Sequence, residues 1–463
     1  MLSQKLIEDV LTAALSTGGD FAEVFVEDKY VTAIDMIGGK IERANAGHDF
    51  GVGIRIFDGT NSIYAYSNNA ERENLIRLAK DAAVSITGVS KDLGIQLVKE
   101  DTKALHRITK YPADVLKTDK VALLKTGYQA AKAYDDVISQ VTGYYLDEDQ
   151  NVLIANSEGL FKEDRRVRTR CSISAVASLN GEMQTGSANT GAHHGFELYD
   201  MYDMADYGRE AARIAKTMIH ADYCPSGQMP VIIDNGFGGV IFHEACGHGL
   251  EATSVSKGTS VYTGKMGQKI ASDVVTAIDD GTALNQWGSA SIDDEGTPTQ
   301  KNVLIENGIL KNYLVDKLGG RRMGMDANGC SRRQSYKYEP TSRMSNTYIA
   351  AGKSTPEEII AATETGLYAK TMGGGSVNPA TGDFNFAVQE GYLIKNGKLA
   401  EPVRGATLIG TGLDVLQKID MVGNNLKMGQ GMCGSVSGSI PANVGQPMVR
   451  VSSLTVGGRK AGA

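Results

Sequence analysis

The residues best equipped for chemistry sit in one short run, His243-Glu244-Ala245-Cys246-Gly247-His248. Neutral imidazoles are good ligands for Zn²⁺, and a catalytic zinc keeps about three protein ligands with one position open for water. A carboxylate beside the first His can take a proton from that water and return it to a leaving amine. Hydrolysis of a peptide bond is the chemistry this pattern serves, with Glu244 as the base. The spacing differs from that of the familiar zinc-hydrolase helix. Two His four residues apart are separated by about 40° around a helix of 3.6 residues per turn, whereas a spacing of five gives about 140°. To share a metal, the helix must wind wider, as a π-bulge does, or end between the two His. Gly247 relaxes the backbone at that point.

A third ligand must come from elsewhere. Glu251 lies one turn beyond His248, near enough to ligate the metal or to orient the imidazole. Cys246 falls between the two His and would face away from a shared metal, as a small core residue does. Cys433 sits in GMCGS, where little bulk hinders a thiolate. Residue types alone do not choose between Glu251 and Cys433.

The elements that must position these groups read as an α+β chain. Leu6, Ile7, Val10, Leu11, Ala14 and Leu15 recur at helical spacing and stop before Gly18-Gly19. Residues 21–66 alternate as a strand meander, 70–88 and 113–134 return to helical spacing, and 136–185 is again strand-rich. Helical spacing resumes over 202–219, and ADYCPSGQMP (221–230) has the composition of a linker. The boundary predicted there divides an N-terminal mixed α/β domain, 1–222, from a C-terminal β-dominated domain, 223–463, which carries the short metal-binding helix predicted over 238–252. His248 and Cys433 lie near the two ends of that second domain, so the site forms only when it closes on itself.

The composition limits the function. The 463 residues hold 47 Lys+Arg against 54 Asp+Glu, a net charge of −7, which disfavours direct binding of nucleic-acid backbone. Five scattered cysteines make a poor disulfide framework and suit a reducing compartment. Glu8 and Asp9 interrupt any signal-peptide core, and no apolar run approaches the roughly 20 residues of a membrane span. A cytoplasmic protein is the expectation. Asp293-Asp294-Glu295 reads as a solvated turn, and the alternating Arg165-Arg166-Val167-Arg168-Thr169-Arg170 as a solvated strand face. The 55 glycines exceed the usual ~7%. Those of GGGSVNPATG (373–382), Gly374 and Gly375 among them, would let a peptide backbone approach a sheet edge.

Several long blocks in one order resemble the TldD/PmbA family, on its TldD branch. They are GVGIRIFDG (51–59), HEACGHGLEA (243–252), DDEGTPTQKNVLIENGIL (293–310), SRMSNTYIAAG (342–352), GGGSVNPATGDFNF (373–386), GYLIKNGKLAEPVRGATLIG (391–410) and MCGSVSGSIPANVGQPMVRVSSLTVGG (432–458). The resemblance covers essentially the whole chain. It implies a zinc metallopeptidase with one Zn²⁺ per chain held by His243, His248 and Cys433, with Glu244 as the catalytic carboxylate. The PmbA branch shares the fold but lacks the metal motif. The family implies an unstructured peptide or protein as substrate, and a homodimer or a heterodimer with a PmbA/TldE-type paralogue. Arg343, Asn346 and Tyr348 are polar groups in one family block, expected either at the substrate or equally as hydrogen-bonders within the core. The family is also described as a modulator of DNA gyrase, so the rival reading is a regulatory binding protein with a structural metal. A structural zinc is normally closed by four protein ligands, and three are in view here.

Overall fold

The computed structural model describes residues 1–89, 94–378 and 381–458. Pro379 and Ala380 of the GGGSVNPATG segment lie outside the described residues.

The meander forms as its alternation predicts. Strands Phe21–Ile37, Lys40–Asp58 and Asn61–Ser67 run antiparallel. Gly38 and Gly39, both at positive φ, make the two-residue turn between the first two, where a side chain would be strained. Strand Phe21–Ile37 then pairs with Ile138–Asn156, which pairs with Leu160–Leu179, which in turn pairs with Glu182–Ala192. On one face of this sheet Ala22, Val24 and Val26 pack with helices Gln4–Ala14 and Arg72–Ala83. Further along the same face, Ile34 and Met36 pack with helices Lys117–Lys132 and Met204–Ile219.

The other face is covered by the second half of the chain. Phe25, Val152 and Ile154 pack against Ile292 and Tyr336. Glu23 pairs with Arg333 at 2.8 Å. Two sequence expectations fail here. The basic run does alternate, but Arg166 and Arg168 point into protein rather than water: Arg166 pairs with Asp294 at 2.6 Å, and Arg168 donates to the Trp287 and Ser289 carbonyls. Asp293, Asp294 and Glu295 are likewise buried, and Glu295 holds the fully buried Arg55. Alternation says which residues share a face; it does not say what that face meets.

The second half contains two main sheets. Strands Thr365–Val377, Gly227–Ile233, Val449–Gly457, Thr407–Thr411 and Asp383–Lys395 form a ring, because the last also pairs with the first. A six-stranded sheet ends with Asn346–Ile349, Gly438–Gln446 and the edge strand Lys427–Ser435. Val231, Phe384, Phe386, Leu408 and Val456 contribute to a core shared with Phe242 and Ala245 of the site helix. Three short helices, Lys317–Met323, Pro356–Ala361 and Gly412–Lys418, interrupt what reads as strand and turn. Each spans under two turns, too short to establish a period.

Candidate metal centre

The predicted helix over 238–252 is broken into short pieces. A 3₁₀ turn, Gly236–Gly239, leads into an α-helix, Val240–Ala245. At Cys246 the backbone leaves helical values (φ −125°, ψ −49°), and a second 3₁₀ turn, Gly247–Leu250, follows. The helix therefore ends between the two His, one of the two ways a five-residue spacing can converge. His243 and His248 lie with ring centroids 5.2 Å apart and nearly perpendicular planes.

Cys433 reaches both from the edge strand. Its Sγ lies 3.3 Å from Nε2 of His243 and 3.3 Å from Nε2 of His248, and the three atoms fall within 4.8 Å of one another. Bonds of about 2.0–2.1 Å to nitrogen and about 2.3 Å to sulfur, at tetrahedral angles, put N and S about 3.5 Å apart. The observed separations fit an ion between these atoms. Burial alone would raise the Cys433 thiol, but the facing imidazoles, His243 foremost, draw it down to about 3. Burial would lower His248; Glu251 and the Cys433 sulfur outweigh it and raise that imidazole well above its ordinary value. The three converging atoms are one cysteine sulfur and two imidazole nitrogens, a donor set that suits a thiophilic divalent metal.

Two carboxylates flank the cluster in different places. Glu251 Oε2 lies 3.1 Å from Nδ1 of His248, on the ring nitrogen turned away from Cys433. An acceptor there holds the ring with Nε2 free to bind a metal. Glu244 Oε2 lies 3.7 Å from Nε2 of His248, on the ligand side, and its side chain is 29% exposed. A carboxylate so placed can exchange a proton with a group at the open position. Cys246 is buried in the apolar core, away from the cluster.

The edge strand is held in place from behind. Arg343, fully buried, donates to the carbonyl of Cys433 at 2.5 Å and to Ser437 Oγ and the Gly438 carbonyl. Trp287 Nε1 donates to the Gly431 carbonyl at 2.7 Å. Of the two roles open to Arg343, the structure favours the core one: it is an internal anchor of the Cys433 hairpin, not a group at the substrate. Asn346 is also fully buried, between Asp280 O, Ser289 Oγ and the Gly288 N–H, which withdraws it from substrate contact. Tyr348 is half-buried in the strand between Ala277–Asp280 and Gly438–Gln446. The sequence offers no way to choose the anchoring role for Arg343, or to see that of Trp287, because the partners lie 90 and 144 residues away with no local signal.

The glycines line an open groove. Gly373 and Gly374 face Gly429 and Gly431 across a space of about 780 Å³ bounded also by Thr185, Asn189 and Phe237. Gly375 is exposed, and a Cβ there would strike the Phe386 ring.

Comparison with known proteins agrees with this architecture. Family profiles described as PmbA/TldA metallopeptidase domain 1, central domain and C-terminal domain match residues 22–86, 110–219 and 226–458. A "Metalloprotease TldD homolog" of Buchnera aphidicola is 36% identical, covering 98% of this chain and 95% of that protein. A "Metalloprotease" of Methanothermobacter thermautotrophicus is 32% identical over 95% of this chain and 96% of its own. A "Zinc metalloprotease TldD homolog" of Saccharolobus solfataricus is 29% identical over 71% and 70%. Among solved structures, a Thermotoga maritima protein described as a candidate DNA-gyrase modulator superposes with a TM-score of 0.80 at 22% identity, covering 98% of this chain and 100% of that one. TldE from Thermococcus kodakarensis gives 0.77 at 20%, covering 97% and 99%. At those identities the structural likeness speaks for the fold alone. The matched profiles and the full-length relatives together show that this chain belongs to the TldD/PmbA metallopeptidase family.

Proposed function

We propose that this chain is a zinc-dependent peptidase acting on extended or unfolded peptides, with one Zn²⁺ held by His243, His248 and Cys433. The observation that carries this reading is the meeting of two Nε2 atoms and one Sγ, each nitrogen 3.3 Å from the sulfur, with a partly exposed carboxylate beside them. When bound, zinc supplies Lewis acidity, polarising a carbonyl and acidifying water. Glu244 accepts a proton from the attacking water and passes it to the leaving amine. Glu251 keeps the His248 ring oriented through Nδ1, and Arg343 keeps the Cys433 carbonyl, and with it the thiolate, at its position.

The groove supports an extended substrate. Lys427–Ser435 is the edge of its sheet, and Thr365–Val377 loses its Gly227–Ile233 partner beyond Ala369. A peptide laid along either edge would be held through main-chain hydrogen bonds, with glycines giving clearance. As the family resemblance implies, the active unit of this proposal pairs the chain with a copy of itself or with a PmbA/TldE-type paralogue. Size-exclusion with mass measurement, alone and with such a partner, distinguishes the two.

The decisive experiment is Glu244→Gln, scored for bound zinc and for cleavage of an unfolded peptide. Retained zinc with cleavage reduced by about 10²–10⁴-fold is expected. Undiminished cleavage would refute the assignment of the base, and cleavage insensitive to chelators would favour a structural metal.

A further inference from the structure

A second charged cavity lies behind the strand that carries Cys433. In the hairpin formed by Lys427–Ser435 and Gly438–Gln446, Cys433 is opposite Ile440 and Met432 is opposite Pro441. Successive strand residues point to opposite faces, so Met432, Ser439 and Pro441 project away from Cys433. They help line a largely enclosed cavity of about 180 Å³ at the junction of the two halves of the chain. The N-terminal sheet contributes Lys29, Arg166 and Arg168, and the second half contributes Arg332 and Arg333.

Two of the five cations around this cavity have no ion-pair partner among the described residues. Arg166 is paired with Asp164 and Asp294, Arg333 with Glu23, and Lys29 with Glu27. Arg168 and Arg332 form no ion pair among the described residues. Arg168 donates only to the Trp287 and Ser289 carbonyls, and Arg332 to that of Met344. They are 5% and 9% exposed. Burial, then the neighbouring guanidinium of Arg166, pulls Arg168 down to about 10; burial, then Arg168, pulls Arg332 down to about 9. Glu148 and Asp294 in the lining offset part of the Arg168 charge, and Asp294 part of the Arg332 charge, without reaching ion-pair distance of either. Asp293 is turned to its own backbone turn, accepting from the N–H groups of Glu295, Thr297 and Ser331.

Two buried guanidiniums without a direct ion-pair partner are costly unless an anion joins them. Each retains N–H donors of the kind that grip an oxyanion by two parallel bonds. We propose that this cavity binds one small free oxyanion, inorganic phosphate or a short dicarboxylate, between Arg168 and Arg332. The volume is below the about 300–1,000 Å³ of pockets that enclose drug-sized molecules, which excludes a nucleotide. A peptide lying on the Cys433 face would not deliver its carboxylate through the sheet. The bound anion ties the N-terminal sheet to the second half and backs the Cys433 hairpin, independently of the reaction proposed above.

The test is calorimetric titration of the full chain with sodium phosphate and, separately, sodium succinate, each against sodium chloride at equal ionic strength. One saturable site per chain is expected, and the tighter arm identifies the anion. Arg168→Gln and Arg332→Gln should each weaken it by about tenfold or more. Cys433→Ser should leave it unchanged, since Cys433 faces the other way. Arg332→Lys keeps the charge but loses the planar fork; it should also bind more weakly, and it serves if a Gln variant fails to fold. No saturable binding of either anion, binding that survives both Arg substitutions, or binding abolished by Cys433→Ser would overturn the proposal.

Discussion

Glu251 and Arg343 act on the metal centre without reaching the position a metal would take. Glu251 meets His248 through Nδ1, and Arg343 meets Cys433 through its backbone carbonyl. Partners of this kind are worth about 10–100-fold in metal affinity. Glu251→Gln should therefore weaken zinc binding by that factor in a competitive chelator titration, with the fold intact. Cys433→Ala removes a ligand outright and should abolish stoichiometric zinc, measured on protein dialysed against trace metal. If Glu251→Gln and Cys433→Ala lost zinc equally, Glu251 would have to be counted a ligand.

At the scale of elements, the metal centre depends on how closely the site helix approaches the hairpin. A Cβ on Gly239, just before helix Val240–Ala245, would lie 2.5 Å from the Gly445 carbonyl oxygen and 2.6 Å from its N and C atoms. Backbone cannot swing aside as a flexible side chain can. Gly239→Ala should therefore push the helix off strand Gly438–Gln446 and cost about 1–3 kcal/mol, read as a lower denaturation midpoint. Bound zinc should fall with it, because that helix carries His243 while the paired edge strand carries Cys433. The five-residue His spacing already demanded a helix that widens or stops, and in the structure it stops at Cys246. The choice between those alternatives was not legible in the spacing. It depends on the tertiary packing of this turn, where Gly247 sits against the end of the Met344 side chain.

At the scale of the whole molecule, the two halves are joined by buried ionic contacts. Glu390, on strand Asp383–Lys395, accepts two bonds from Arg213 of helix Met204–Ile219 and one from Lys370. Burial would raise its carboxyl, but Arg213, Tyr392 and Lys370 hold it below the usual value. A carboxyl lower in the folded than in the unfolded state stabilises fully above the unfolded value of about 4.3, and that stability is lost as pH falls through the folded value. Stability measured by urea denaturation should thus decline below about pH 4.3, and Glu390→Gln should flatten that decline. At neutral pH the same substitution leaves Arg213 and Lys370 without their shared partner. Breaking a fully buried pair costs roughly 3–5 kcal/mol; Arg213 keeps Glu210 and both cations are partly exposed, so the expected loss lies below that range. Among the described residues no helix is long and apolar enough to cross a membrane.

The amino-acid sequence by itself determined the kinds of groups available, the strand meander of residues 21–66, the main N-terminal helices and the need for the site helix to widen or stop between its two His. These are local properties, set by residue type and by periods of 2 and 3.6. Only the tertiary structure decided that Cys433, 185 residues from His248, meets the imidazoles while Glu251 stands on the other edge of the ring. Likewise, only the tertiary structure turned Arg166, Arg168 and the Asp293-Asp294-Glu295 turn inward. The reason is physical: periodicity tells which side chains travel together, whereas burial and contact depend on which distant surface closes over them.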